Sequence, residues 1–185
     1  MLKQKILDNA CVNHKLIAFR TEKEEWGETI VGYVKEVTSQ RVTINELDDY
    51  GMPIGITSFK IDALIDIVIE DKTLKCLEIL EGKNKRLTRK ECSTIWGNGC
   101  ELREYLYDYK KNRKPITLFV AENENDDTNV IGFVDEVDEK SVLIEMIDRY
   151  GELDGKILIP LETITGIRRE SQEDIARWIL YQNRR

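Results

Sequence analysis

The sequence predicts a mainly β chain with flanking helices, organised as two tandem units that each join a helix to a five-stranded small barrel. Three observations carry this reading: an internal repeat, short β-rich runs separated by turn residues, and helical apolar spacing before and after each set of strands. Ile30-Val31-Gly32-Tyr33-Val34-Lys35-Glu36-Val37 reappears as Val130-Ile131-Gly132-Phe133-Val134-Asp135-Glu136-Val137, a shift of 100 positions. Val42-Thr43-Ile44 falls on Val142-Leu143-Ile144, and Asp48-Asp49-Tyr50-Gly51 on Asp148-Arg149-Tyr150-Gly151. Gly55 falls on Gly155 and Ile79-Leu80 on Ile179-Leu180; upstream, the same shift places Phe19 on Phe119 and Leu2 on Leu102. Self-similarity at one spacing over so long a stretch is the signature of a duplicated structural unit. The predicted division is therefore residues 1–80 for the first unit, 81–100 for a connector, and 101–185 for the second.

Each unit begins with a helix, because Leu2, Ile6 and Ala10, and Leu102, Leu106 and Tyr109, recur at three-to-four spacing. A short strand follows (16–20; 116–120), then a polar loop (22–29; 122–129). The second strand carries Gly32 or Gly132, and a glycine inside a strand marks a bend or bulge. A tight turn at Thr38-Ser39-Gln40-Arg41 leads to the third strand, 42–47. Gly51 and Gly55 punctuate the approach to a fourth strand at 56–59, and a fifth runs from Leu64 to Ile69. Segments 71–80 and 171–182 read as helices, with Ser171 and Asp174 placed as an N-terminal capping pair. Five short strands with a sharply bent second one suit a small barrel.

A helix followed by five strands, with Gly32 and Gly132 in the bent second strand and Val42/Ile44 and Val142/Ile144 in the third, resembles the Sm-like superfamily of small barrels. That resemblance implies subunits that join by pairing strand four of one with strand five of the next. It also implies an RNA pocket, but the residues of that pocket differ here. The turn after strand two reads Thr38-Ser39-Gln40-Arg41 and Asp138-Glu139-Lys140-Ser141, without the Asp-x-x-Met-Asn pattern. The step before strand five reads Phe59-Lys60-Ile61-Asp62 and Ile159-Pro160-Leu161-Glu162, without Arg-Gly.

The two copies diverge at their edges. Leu64, Ile65, Ile67 and Ile69 make strand five of the first unit almost continuously apolar, whereas Ile164-Thr165-Gly166-Ile167-Arg168-Arg169 carries charge. Ile157, Leu158 and Ile159 give the second unit the more apolar strand four. The expectation is that these apolar strands pair with one another within the chain, leaving the Thr165–Arg169 edge protected by its arginines. The alternative is that each set fills its own barrel.

Chemistry is sparse. His14 is the only histidine, Cys11, Cys76, Cys92 and Cys100 lack the closely spaced pairs of a zinc site, and no phosphate-cradling glycine motif occurs. No catalytic residue, cofactor or metal is expected. Asp-x-Tyr-Gly, shared by both copies, reads as turn chemistry, with aspartate bonding the local backbone and glycine taking positive φ. The chain carries a net charge of −7, and its one positive stretch is the connector. Lys83, Lys85, Arg86, Arg89 and Lys90, with Lys110, Lys111, Arg113 and Lys114, are the candidates for nucleic-acid contact, and Trp96 or Tyr107 for base stacking. The expected function is a non-enzymatic protein-interaction or assembly module in the cytoplasm, with no membrane partner; the alternative is an RNA-binding Sm-like protein.

Overall fold

A computed structural model describes residues 2–21, 29–83, 87, 92–123 and 126–184, the side chains of 122, 123, 126 and 127 excepted. The chain divides into two compact units, Met1–Asn84 and Lys85–Arg185.

The first unit opens with helix α1 (Leu2–Val12), followed by β1 (Leu16–Arg20), β2 (Ile30–Val37), β3 (Arg41–Leu47) and β4 (Pro53–Lys60). A 3-10 turn at Ile61–Ala63, β5 (Asp66–Val68) and α2 (Lys72–Glu81) complete it. The strands form one antiparallel sheet in the order β4-β3-β2-β1-β5. β1 is buried on both faces, which explains its unbroken apolar run. Ile17 and Phe19 pack with Leu7 and Ala10 of α1, while Leu16 and Ala18 pack with Leu74 and Leu77 of α2. Alternate residues of a strand point to opposite faces, so the sheet lies between two helices.

The second unit repeats the plan with an added strand. β6 (Ser93–Trp96) precedes α3 (Gly99–Asn112), then β7 (Pro115–Asn123), β8 (Asp126–Val137), β9 (Ser141–Ile147) and β10 (Leu153–Pro160). A 3-10 turn at Leu161–Thr163, β11 (Ile164–Arg169) and α4 (Gln172–Asn183) follow. The sheet order is β10-β9-β8-β7-β11-β6. Leu102, Leu106 and Tyr109 of α3 pack on one face with Ile116 and Leu118; Tyr181 and Trp178 of α4 pack on the other with Ile131, Phe133 and Ile147.

The expected glycine bends are present. A Cβ on Gly32 would lie 2.3 Å from the Asn45 carbonyl oxygen, and one on Gly132 would lie 2.4 Å from that of Glu145. Both strands then shift register two to four residues on, between Val34 and Glu36 and between Val134 and Glu136. The helix after each sheet is capped: Ser171 and Asp174 form the expected reciprocal capping box, and the Asp71 carboxylate, not named from the sequence, accepts from the Leu74 amide.

Four expectations are corrected. Among the described residues no ladder joins β4 to β5 or β10 to β11, so each sheet is open where a closed five-stranded barrel was expected. Strand five of the first unit is three residues long, where 64–69 was expected. The repeat is offset by 99, not 100, through the first helix and strand. Gly32 pairs with Ile17 and Gly132 with Ile116, and the left-handed residues that end the helices are His14 and Arg113. Phe19 is thus the counterpart of Leu118, and Lys3 of Leu102; the extra residue of unit two lies between Phe119 and Val130. Finally, the Thr165–Arg169 edge is not bare. β6 pairs along it, from Gly166 opposite Trp96 to Arg169 opposite Ser93.

Candidate functional site

The outer edges of the two sheets and one cavity in the second unit are where the structure departs from packing alone. In unit one, β5 pairs with β1 and ends the sheet. Of the residues predicted to pair between copies, Leu64 is buried in its own unit's core and Ile67 packs against that core, whereas Ile65 and Ile69 are 39% and 54% exposed. In unit two Ile159 is buried in its own core and Ile157 packs on it, while Leu158 is 65% exposed. Within its own unit β5 is bonded to β1, and β10 to β9. Leu64, Ile67, Ile157 and Ile159 thus serve their own units' cores.

The covered edge of unit two has a readable local cause. Gly166 faces Trp96 across the β11–β6 ladder, and a Cβ there would lie 2.7 Å from the indole ring. The Trp96 ring also packs on Phe119 at 4.9 Å between centroids. In unit one the corresponding residues are Asp66 and Arg20, which form an ion pair on the open edge. The Arg20 guanidinium lowers the Asp66 carboxyl below the ordinary aspartate value. An aromatic residue of an added strand has a glycine slot in one unit and a salt bridge in the other.

The basic residues do not gather into one positive face among the described residues. Lys110 pairs with Glu136 at 2.6 Å, Arg113 with Glu145 at 3.6 Å, and Lys114 with Glu170 at 3.2 Å. Lys83 and Lys111 are exposed, and Lys85, Arg86, Arg89 and Lys90 lie outside the described residues. Trp96 and Tyr107 are both exposed, Trp96 at the β6 edge and Tyr107 on α3.

Asp-x-Tyr-Gly is turn chemistry in both copies. The Asp48 carboxylate accepts from the amides of Tyr50 at 2.9 Å and Met52 at 2.8 Å, and Asp148 does the same for Tyr150 and Glu152. Gly51 and Gly151 both take φ of 75°, and a Cβ on Gly151 would meet α4 at 2.6 Å.

The cavity was not foreseen. About 440 Å³ in volume, it lies where the end of α3 meets the ends of β11 and β6. Asp108, Tyr109 and Asn112 come from α3, Lys114 from the turn after it, Arg169 and Glu170 from the end of β11, and Ser93 from β6. Arg169 donates from Nε and Nη2 to the Ser93 hydroxyl at 3.3 and 3.1 Å, with its guanidinium over the Tyr105 ring. Asn112 donates to the Asp108 carboxylate at 2.8 Å. Burial raises the Tyr109 hydroxyl to about 12 against the opposing pull of Arg169, so it remains a proton donor at neutral pH. The signal for this site was divided among four segments, with no local spacing to reveal it.

Comparison with protein-family models, with curated proteins and with solved structures finds no match to this chain.

Proposed function

We propose that this chain is a non-enzymatic assembly module built from two Sm-like units, and that copies of it join through their open strand edges. The observation that carries the reading is the contrast between β5, whose outer edge has no neighbouring strand among the described residues, and β11, whose edge is covered by β6. An edge strand presents a row of backbone donors and acceptors and is a template for adding another strand.

The proposed occupant of the β5 edge is the fourth strand of another copy, β4 or β10. Each ends its own sheet and carries exposed apolar side chains: Ile54 and Ile56 on β4, Leu153 and Leu158 on β10. Ile65 and Ile69, exposed on either side of β5, offer matching apolar surface. Strand-four to strand-five pairing is also what the Sm-like resemblance implies. The order of strands in each sheet supports that resemblance, since it leaves those two strands as the edges of unit one. A non-enzymatic reading accords with the use made of Asp174, a buried carboxylate engaged by Thr117 and Ser171 in capping α4. No helix among the described residues is long and apolar enough to cross a membrane.

Light scattering of the chain over a range of concentrations tests the proposal. The expected result is concentration-dependent assembly that Ile69→Lys and Leu158→Lys each weaken while thermal stability is retained. A monomer at every concentration, or assembly indifferent to both substitutions, overturns it.

A further inference from the structure

We propose that the cavity between α3, β11 and β6 is a binding site for a small molecule carrying an oxyanion, a phosphate or carboxylate group, with Arg169 as its principal contact. The proposal is independent of assembly through the strand edges, because every lining residue belongs to the second unit and none lies on β4, β5 or β10.

The carboxylates at the cavity are engaged: Asp108 accepts from Asn112, and Glu170 accepts from Lys114. The donors are in surplus. Among the described residues Arg169 has no carboxylate within ion-pair distance, its guanidinium meeting only the neutral Ser93 hydroxyl and the face of Tyr105. Ser93, by accepting from Arg169, keeps its own proton for another acceptor, and Lys114 has further N–H donors beyond its bond to Glu170. Tyr109 lines the same space. Guanidinium, ammonium and hydroxyl groups converging on one cavity match an oxyanion, whose bonds to charged donors are the strong ones. The cavity is of a size that holds a small metabolite.

At the 99-residue offset, Asn13 and Asn9 repeat the Asn112–Asp108 contact, with Asn13 Nδ2 donating to the Asn9 carbonyl at 2.9 Å as Asn112 donates to that of Asp108. Lys15 acts electrostatically on Glu70, as Lys114 pairs with Glu170. The scaffold is therefore shared. The charged and hydroxyl donors that make the site are not: Ala10 stands where unit two has Tyr109, and Ile69 where it has Arg169. Packing requirements alone are met in unit one without these two groups. Their joint presence around one cavity is what a ligand explains.

The test is titration of the full chain by calorimetry with inorganic phosphate and, separately, with succinate, at constant ionic strength. Binding of either probe supports the proposal, and the stronger one identifies the oxyanion. Arg169→Gln is expected to weaken that binding at least about tenfold. Tyr109→Phe, which keeps the ring and its packing, is expected to weaken it severalfold. Arg149→Gln, on the distant Asp-x-Tyr-Gly turn, is expected to leave it unchanged. Heat-unfolding of each unliganded variant confirms that the fold is retained. No heat of binding from either probe up to about 20 mM, or binding that Arg169→Gln leaves intact in a folded protein, overturns the assignment.

Discussion

β1 of the first unit and β7 of the second hold the same place in their sheets, with the same neighbours on both sides and the same glycine opposite. What surrounds them differs in kind. Ala18 of β1 packs beside Leu74 of α2; in the matching place Thr117 of β7 donates to Asp174 of α4 at 2.6 Å, both fully within the protein. Arg20 and Asp66 form an ion pair on an open edge; Phe119 and Gly166 form a slot that Trp96 fills. The backbone plan tolerates apolar or polar contacts at one site and an open or covered edge at another. Duplication preserved the features that shape the chain, the strand glycines, helix caps and turn aspartates, and released those that face a particular neighbour.

The largest effect is expected where the two units agree. Gly32→Ala and Gly132→Ala should each destabilise the unit concerned by about 3 kcal/mol or more, since the new Cβ would overlap a backbone carbonyl that cannot move alone. Urea unfolding monitored separately in each unit reads this. A mild effect in either would break the claim that the bend is a shared requirement.

The Thr117–Asp174 pair comes next. Asp174→Leu alone should cost about 2–3 kcal/mol, because it strands the Thr117 hydroxyl and the Ser171 amide. Combining it with Thr117→Ala recreates the Ala18–Leu74 arrangement of unit one. The double variant should lie about 1–2 kcal/mol above the sum of the single effects, and strict additivity in the cycle would show that the two sites are not interchangeable solutions. Burial raises the Asp174 carboxyl above the ordinary value despite the bonds from Thr117 and Ser171. A raised folded value means that this group's contribution is fully present below the unfolded value of about 4 and is lost as pH rises through the folded one. Asp174→Asn should flatten that part of the stability-against-pH curve.

Gly166→Asp, which places unit one's residue in unit two, should expel Trp96 and loosen β6 at about 1–3 kcal/mol. Hydrogen exchange at Ser93–Trp96 would rise towards that of an unpaired strand. Unchanged protection would show that β6 is held without the glycine slot. The smallest effect on folding is expected from Ile69→Lys, within about 0.5 kcal/mol, because the side chain is largely exposed. Its value is in separating stability, which should hardly change, from assembly, which should fall.

The sequence made the duplication legible and, from residues within a few positions of one another, the order of elements within each repeat, the bend glycines and the Ser171 cap. It misplaced the repeat by one residue upstream, since one extra residue in unit two's polar loop shifts everything before it and Phe19 over Phe119 looked like a match. For the apolar runs at 64–69 and 156–160 it left two readings, a shared interface or each unit's own core, because periodicity cannot tell a strand buried in its own core from one buried against another.

What the sequence determined by itself is therefore the local grammar. Gly32 and Gly132 bend their strands, Asp48 and Asp148 tie their turns, and Asp71 and Ser171 start their helices, all through contacts that the chain makes with itself nearby. Only the tertiary structure decided that a strand from the connector covers one sheet's edge, and that Ser93, Tyr109, Lys114 and Arg169 line one cavity. Those groups are up to 76 residues apart in the chain, as Arg169 and Ser93 are. Their meeting depends on how α3, β11 and β6 pack, which no local pattern encodes.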